Sequence, residues 1–255
     1  MANLPNPVSI ESTEIILEQM KNSICYIYLA NGYRDNGFFC KIPYKEKILS
    51  VLITSNHLLD KEYILQTKEI NISFNNLETK INLMNKIIYT SKEYDITIIE
   101  VNNLDEIYNI RYLELDNVFD ENLKKKIFRF SVYYPHYSHR SRNIYVSYGI
   151  AEYLKEEEDK RFRIFIETEH SSSSPIINLE NNKVVGIMMG RSLKRNFRIG
   201  NFLKYPIIEL NQNINLIKEF KDYKKKDFEK LEFISRGGYG DIYSAYSIKD
   251  KKNLC

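Results

Sequence analysis

Glu167-Thr168-Glu169-His170-Ser171-Ser172-Ser173-Ser174-Pro175-Ile176-Ile177-Asn178, followed by Val184-Val185-Gly186-Ile187, is the stretch on which the reading of this chain turns. Four serines before a proline are, taken alone, an ordinary solvated turn. Two other segments change that weighting. Leu52-Ile53-Thr54-Ser55-Asn56-His57-Leu58-Leu59 is an apolar strand ending in Thr-x-x-His, and Tyr94-Asp95-Ile96-Thr97-Ile98-Ile99-Glu100-Val101 is a strand opened by an aspartate. His57 and Asp95 are 38 residues apart (57 to 95), and Asp95 and Ser172 are 77 apart (95 to 172). That separation suits one residue on each of several strand-connecting loops.

The three residue types form a chemical unit. A serine hydroxyl is a poor nucleophile at neutral pH, so a histidine must take its proton while a carboxylate sets the imidazole tautomer and stabilises the imidazolium. The order His57, Asp95, Ser172, with Ser-x-x-Pro at the serine, resembles the trypsin-like serine peptidase family. The resemblance implies Ser172 as nucleophile, three residues before Pro175, His57 as general acid and base, and Asp95 as its orienter. Each residue has a plainer reading as well: His57 as a strand-end histidine, Asp95 as a turn residue at the edge of an apolar run.

The resemblance also implies a double β-barrel with the active site between the barrels, and a peptide or protein substrate. Its oxyanion hole corresponds to the backbone N–H groups of His170 and Ser172, its primary pocket to Ile166, with Met189, Gly190 and Arg191 along the wall, which fits an apolar or small side chain before the scissile bond. Two glycines of the family's loop are His170 and Ser173 here. A left-handed or strained backbone costs a non-glycine residue about 1–2 kcal/mol, and loss of one oxyanion donor lowers turnover by about 10²–10³. These departures keep a second reading open, a catalytically degenerate peptidase-fold module that binds a peptide or regulates an attached kinase. Ser171 stands where an activation aspartate would precede the nucleophile, so family variants without zymogen cleavage are the closer comparison.

Composition fits a globular chain. Of the 255 residues, 43% are apolar and 28% charged, and the net charge is +3, so neither a nucleic-acid nor a membrane-surface partner is implied. Cys25, Cys40 and Cys255 make no disulfide framework, and a cytoplasmic, reducing location is expected. The N-terminal residues show no basic segment leading into an apolar one, and no run approaches a bilayer span.

Along the chain, spacing predicts a short helix over residues 11–22. Short strands rich in Ile, Tyr and Phe follow at about 23–30, 37–43, 49–55, 71–74, 80–84 and 95–101. A second six fall at 126–134, 144–154, 161–167, 175–179, 184–189 and 201–205. The expected fold class is therefore all-β, two six-stranded antiparallel barrels over 23–220, with a closing helix after Pro206 and a charged linker over 221–230.

A second motif stands in the tail. Phe233-Ile234-Ser235-Arg236-Gly237-Gly238-Tyr239-Gly240-Asp241-Ile242-Tyr243 resembles the glycine-rich loop of protein kinases, in which Gly237 and Gly240 would let backbone amides cover ATP phosphates. The plainer reading is a glycine turn between two strands. Residues 231–255 end before a strand lysine, a catalytic aspartate or a magnesium ligand, so ATP and Mg are expected only if a full kinase domain follows. No cofactor or metal is expected for the peptidase part. His136 and His139, in Pro135-His136-Tyr137-Ser138-His139, lack interleaved metal ligands and read as a solvated loop.

Overall fold

The structure, a computed structural model, describes residues 5–102, 105, 107–116, 127–138, 143–154, 160–166, 172–191, 197–212, 216–217, 228–237, 240–247 and 252–254. The chain divides between Glu219 and Phe220 into two compact units.

The first unit opens with helix α1 (Ile10–Asn22), capped by Ser9, whose hydroxyl accepts from the Ser12 amide at 3.2 Å. Its buried face carries Ile16 and Gln19. The Gln19 amide donates to the Asn182 carbonyl at 2.9 Å and accepts from the Tyr133 hydroxyl, which lies 3.2 Å from Asn182 Oδ1. The helix thus precedes the first sheet in sequence but is tied to the second half of the fold.

Eight strands follow in the first half: β1 (Ile24–Tyr28), β2 (Arg34–Tyr44), β3 (Lys47–Thr54), β4 (Glu69–Phe74), β5 (Leu77–Asn82), β6 (Ile88–Ser91), β7 (Ile96–Glu100) and β8 (Leu113–Glu114), with a short helix α2 (Lys61–Gln66) after β3. They form a sheet in the order β6-β7-β3-β2-β1-β4-β5, antiparallel throughout, with β8 added parallel to β2. Between β4 and β5, Asn75 and Asn76 take φ of 51° and 62°, the left-handed two-residue turn that asparagine tolerates.

The second half contains β9 (Ile127–Tyr137), β10 (Ile144–Leu154), β11 (Arg161–Phe165), β12 (Pro175–Asn178), β13 (Val184–Arg191) and β14 (Arg198–Phe202). These six close into a barrel in the order β10-β11-β14-β13-β12-β9. Helix α3 (Lys204–Asn211) follows, and β15 (Leu216–Ile217) returns to pair with Ile88 and Tyr89 of β6. Among the described residues the first sheet therefore has nine strands where the sequence suggests six.

The differences have local causes. β6 and β8 are too short to show an alternating pattern, and Leu216 and Ile217 fall at helical spacing behind Ile207 and Leu210. Edge pairing with β6 wins over that periodicity, so the closing helix ends at Asn211. Tyr205, expected at a strand end, lies inside α3. The expected loop at Pro135-His136-Tyr137 is instead the end of β9, paired with Val146, Tyr145 and Ile144. His136 is buried there and stacks on Tyr134 at 4.8 Å; His139 lies outside the described residues.

One apolar cluster joins the halves, with Ile16, Phe38, Ile53 and Ile98 from α1 and the first sheet meeting Tyr133, Ile177 and Ile187. A second fills the closed barrel around Phe162. Gly186 and Gly200 flank that ring so closely that a Cβ would stand 2.8 Å and 2.6 Å from its carbons. Only glycine fits there without displacing the ring.

The second unit, Phe220–Cys255, carries β16 (Phe228–Gly237), β17 (Gly240–Ser247) and β18 (Lys252–Leu254) in one antiparallel sheet. Residues 228–230, expected to belong to a charged linker, are the start of β16.

Candidate active site

β3 ends at Thr54, and the turn that follows presents His57. This turn is held from below: the Thr97 hydroxyl donates to the Leu59 carbonyl at 2.6 Å, the Leu59 amide donates to Ser55 O at 3.2 Å, and the Asn56 amide reaches the Thr90 hydroxyl. β7 begins one residue after Asp95, which takes φ of 48°. That left-handed backbone turns the carboxylate onto His57, where Oδ1 accepts from the His57 amide at 2.8 Å and Oδ2 lies 2.7 Å from Nδ1. One carboxylate thus sets both the backbone and the ring of His57.

Ser172 comes from the other half of the fold, just before β12. The loop runs on along β13: the Ser173 amide donates to Met188 O and the Met188 amide to Ser174 O, both at 2.9 Å. Ser173 has φ of 65° and is fully buried. The left-handed residue that the family's second glycine would supply is therefore a serine, whose strain of about 1–2 kcal/mol is offset by its hydroxyl bond. That hydroxyl donates to Asp35 Oδ2 at 2.8 Å, the same oxygen that accepts from Ser172 Oγ.

Asp35 is the residue that the sequence reading missed. It lies on β2 with its side chain only 3% exposed. Its Oδ2 accepts from Ser172 Oγ at 2.5 Å and from Ser173 Oγ at 2.8 Å, and stands 3.3 Å from His57 Nε2. Oδ1 accepts from the Asn36 amide at 2.8 Å. The Ser172 hydroxyl is thus directed at a carboxylate oxygen that also stands 3.3 Å from the imidazole Nε2. A polar Asp-Asn pair opening the apolar run Gly37-Phe38-Phe39-Cys40 was the available signal, because a charge at the edge of a core strand demands partners.

The imidazole responds to both carboxylates. Hydrogen bonding to Asp35, then to Asp95, pushes the His57 pKa up to about 10 against the opposing effect of desolvation. Its side chain stays 53% exposed on an open cleft of about 600 Å³ that Asp95 and Met189 also line.

Asn36 bridges the halves. Its Oδ1 accepts from the Tyr137 amide at 2.7 Å, its Nδ2 donates to the Ser172 carbonyl at 3.3 Å, and its own carbonyl accepts from the Thr54 hydroxyl at 2.8 Å. It is fully buried. Asn36→Ala is expected to lower the unfolding free energy by about 1–3 kcal/mol, because the Tyr137 amide loses its acceptor inside the protein. Urea denaturation checks this, and an unchanged midpoint would show that the bridge contributes nothing.

Of the remaining expected site residues, Met189 reaches the cleft from a β-bulge where the β13–β14 register shifts between Met188 and Gly190. Gly190 and Arg191 continue β13 opposite Ile199 and Arg198. Ile166 packs on Gly149, where an added Cβ would come within 2.9 Å of the Ile166 Cβ. His170 lies outside the described residues. Gly237 and Gly240 face each other as the last pair of the β16–β17 hairpin. Cys25 and Cys40 are free and buried, and burial pushes both thiols far up. Among the described residues, no group of three or more His, Cys, Asp or Glu is arranged to hold a metal ion, and no helix is long and apolar enough to cross a membrane.

No family model matches the sequence, and no curated protein matches it. Solved structures do. The active form of the Rv3671c protease from M. tuberculosis superposes with a TM-score of 0.57 at 12% identity, covering 86% of this chain and 92% of that one. The VesB protease of Vibrio cholerae gives 0.56 at 10%, covering 92% and 71%. Catalytically active tobacco etch virus protease, in complex with product, gives 0.54 at 14%, covering 89% and 90%. At these identities the likeness establishes the fold: a closed barrel and a second sheet in the chymotrypsin-like arrangement.

Proposed function

We propose that residues 23–219 form a serine endopeptidase that cleaves peptide bonds through an acyl-enzyme, with Ser172 as nucleophile, His57 as general acid and base, and Asp95 as orienter. The observation that carries this reading is the paired contact of Asp95 with His57, whose Nε2 stands 3.3 Å from the Asp35 oxygen that accepts from the Ser172 hydroxyl. It is supported by a fold held in common with viral and bacterial proteases. In such a reaction Ser172 Oγ bonds to the scissile carbonyl carbon while its proton passes to neutral Nε2 of His57. The imidazolium then returns that proton to the leaving amine, and water repeats the sequence to release the acid. The Ser172 and His170 amides are assigned to the oxyanion, and Ile166, Met189, Gly190 and Arg191 to an apolar primary pocket.

A fluorophosphonate probe tests the assignment. Labelling of the folded protein is expected at Ser172 and is expected to vanish in Ser172→Ala. Folded protein that takes up no label over pH 7–10 would remove the peptidase reading.

One observation favours a second reading: the Ser172 hydroxyl is bonded to Asp35 and not to His57. A non-catalytic module that binds a peptide or regulates an attached kinase predicts partner binding unchanged by Ser172→Ala. For the second unit, the hairpin closed by Gly237 and Gly240 fits the glycine-rich-loop reading, and ATP binding is assigned only to a longer product that completes a kinase domain. A cytoplasmic setting is proposed from the free, buried Cys25 and Cys40.

A further inference from the structure

We propose that Asp35 is a positioning residue that acts as a latch, its carboxylate holding the Ser172 hydroxyl and occupying the Nε2 face of His57 so that serine and base are kept apart in the resting site. The inference rests on the assignment of Ser172 and His57 under Proposed function. It goes beyond that assignment because the three-residue unit has no place for a second carboxylate on the Nε2 side.

The geometry is specific. A working base needs a lone pair on Nε2 aimed at the serine hydroxyl within about 2.6–3.2 Å. Here the hydroxyl donates instead to Asp35 Oδ2 at 2.5 Å, and that same oxygen stands 3.3 Å from Nε2, which also has the Ser55 hydroxyl at 3.5 Å. An acceptor-only carboxylate is satisfied by an N–H at Nε2, which is the protonation state in which the ring cannot take a proton. The two contacts reinforce each other.

Asp35 is also built to stay. It is enclosed, its Oδ1 is held by the Asn36 amide, and its Oδ2 collects a second hydroxyl from Ser173. The left-handed backbone of Ser173 brings that hydroxyl to the carboxylate, so the departure from glycine contributes to the latch. A buried charge persists when its lone pairs are filled in this way.

Other charged groups near His57 do not share this role. Asp95 from the start of β7 holds Nδ1. Asp60, Lys61 and Glu62 at α2, and Lys92 before β7, line the same cleft, and Asp60 Oδ1 is engaged by the Tyr63 amide at 2.7 Å. Among the described residues, Asp35 and then Asp95 are the groups that raise His57.

The test follows His57 by its imidazole proton resonances through a pH titration, and the rate of fluorophosphonate labelling at pH 7, in the full chain and in Asp35→Ala. In labelling, the Oγ–P bond forms, the P–F bond breaks, fluoride leaves, and the hydroxyl proton goes to neutral Nε2. Asp35→Ala is expected to move the His57 midpoint from near 10 down toward the ordinary imidazole range of about 6.5 and to speed labelling at least tenfold. Asp35→Asn keeps the volume and the Oδ1 acceptor for Asn36, so its His57 midpoint falls too; it serves if the alanine variant does not fold.

An unmoved midpoint in a folded variant overturns the latch, whatever the labelling does. A lowered midpoint with slower labelling also overturns it, because Asp35 would then be assisting proton transfer. A lowered midpoint with no labelling in any form fails the peptidase reading and takes the latch with it, whereas an unmoved midpoint with labelling fails the latch alone.

Discussion

Asp95→Asn is expected to slow labelling of Ser172 by about 10⁴-fold, the scale on which an orienting carboxylate acts when the histidine tautomer depends on it. The carboxylate accepts at two places on one residue, the amide and Nδ1 of His57, at 2.8 Å and 2.7 Å. An asparagine side chain can still accept from the amide through its oxygen, but its NH₂ then meets Nδ1 as a donor. Nδ1 must give up its proton, the remaining proton moves to Nε2, and the neutral ring has no lone pair for Ser172. The backbone does not object, because Asp95 sits at φ of 48°, a region that asparagine enters more readily than other residues. The thermal midpoint is therefore expected to change little while the labelling rate collapses. A loss below tenfold in a folded variant would strip Asp95 of its role.

Phe162→Ala is expected to cost about 3–5 kcal/mol of unfolding free energy, at the upper end for a single core truncation. The ring is almost fully enclosed, with Phe130 and Phe202 at centroid distances of 6.1 Å and 4.6 Å and two glycines against its edges. Glycines have no side chain to swing into the space left behind, so the cavity collapses poorly. The closed barrel carries Ser172 through β12, and the loss should be read both as an earlier urea midpoint and as a lower fraction of labelled protein at intermediate urea. A cost under about 1 kcal/mol would mean that the barrel repacks around the gap.

The legible parts of this chain were those written in short range. Alternating Ile, Tyr and Phe between turn residues located most strands, and the His57 and Asp95 segments could be paired because each ends or begins a strongly apolar strand. β6 and β8 were hidden by brevity, and β15 by Leu216 and Ile217 falling at helical spacing. His136 and His139 read as a solvated loop because no Cys or carboxylate is interleaved with them, yet β10 opposite supplies the pairing that makes His136 strand. The meaning of Ser173 was also out of reach. In sequence it is a glycine replaced by something bulkier; in space it is a left-handed residue whose hydroxyl has a carboxylate to meet.

Strand periodicity and residue type are local properties, so the chain alone carried the fold class and the strand ends at which His57 and Asp95 meet. Which hydroxyl hydrogen points where was decided only by tertiary structure. Asp35 and Ser172 are 137 residues apart, and the local sequence marks that aspartate only as a charge at the edge of an apolar strand, without naming its partners. Packing the two halves around Asn36 buries it, and a buried carboxylate must take whatever donors are in reach. Those donors are the hydroxyls of Ser172 and Ser173 and the Asn36 amide, so the serine run is held, in the folded protein, by a residue from the opposite sheet.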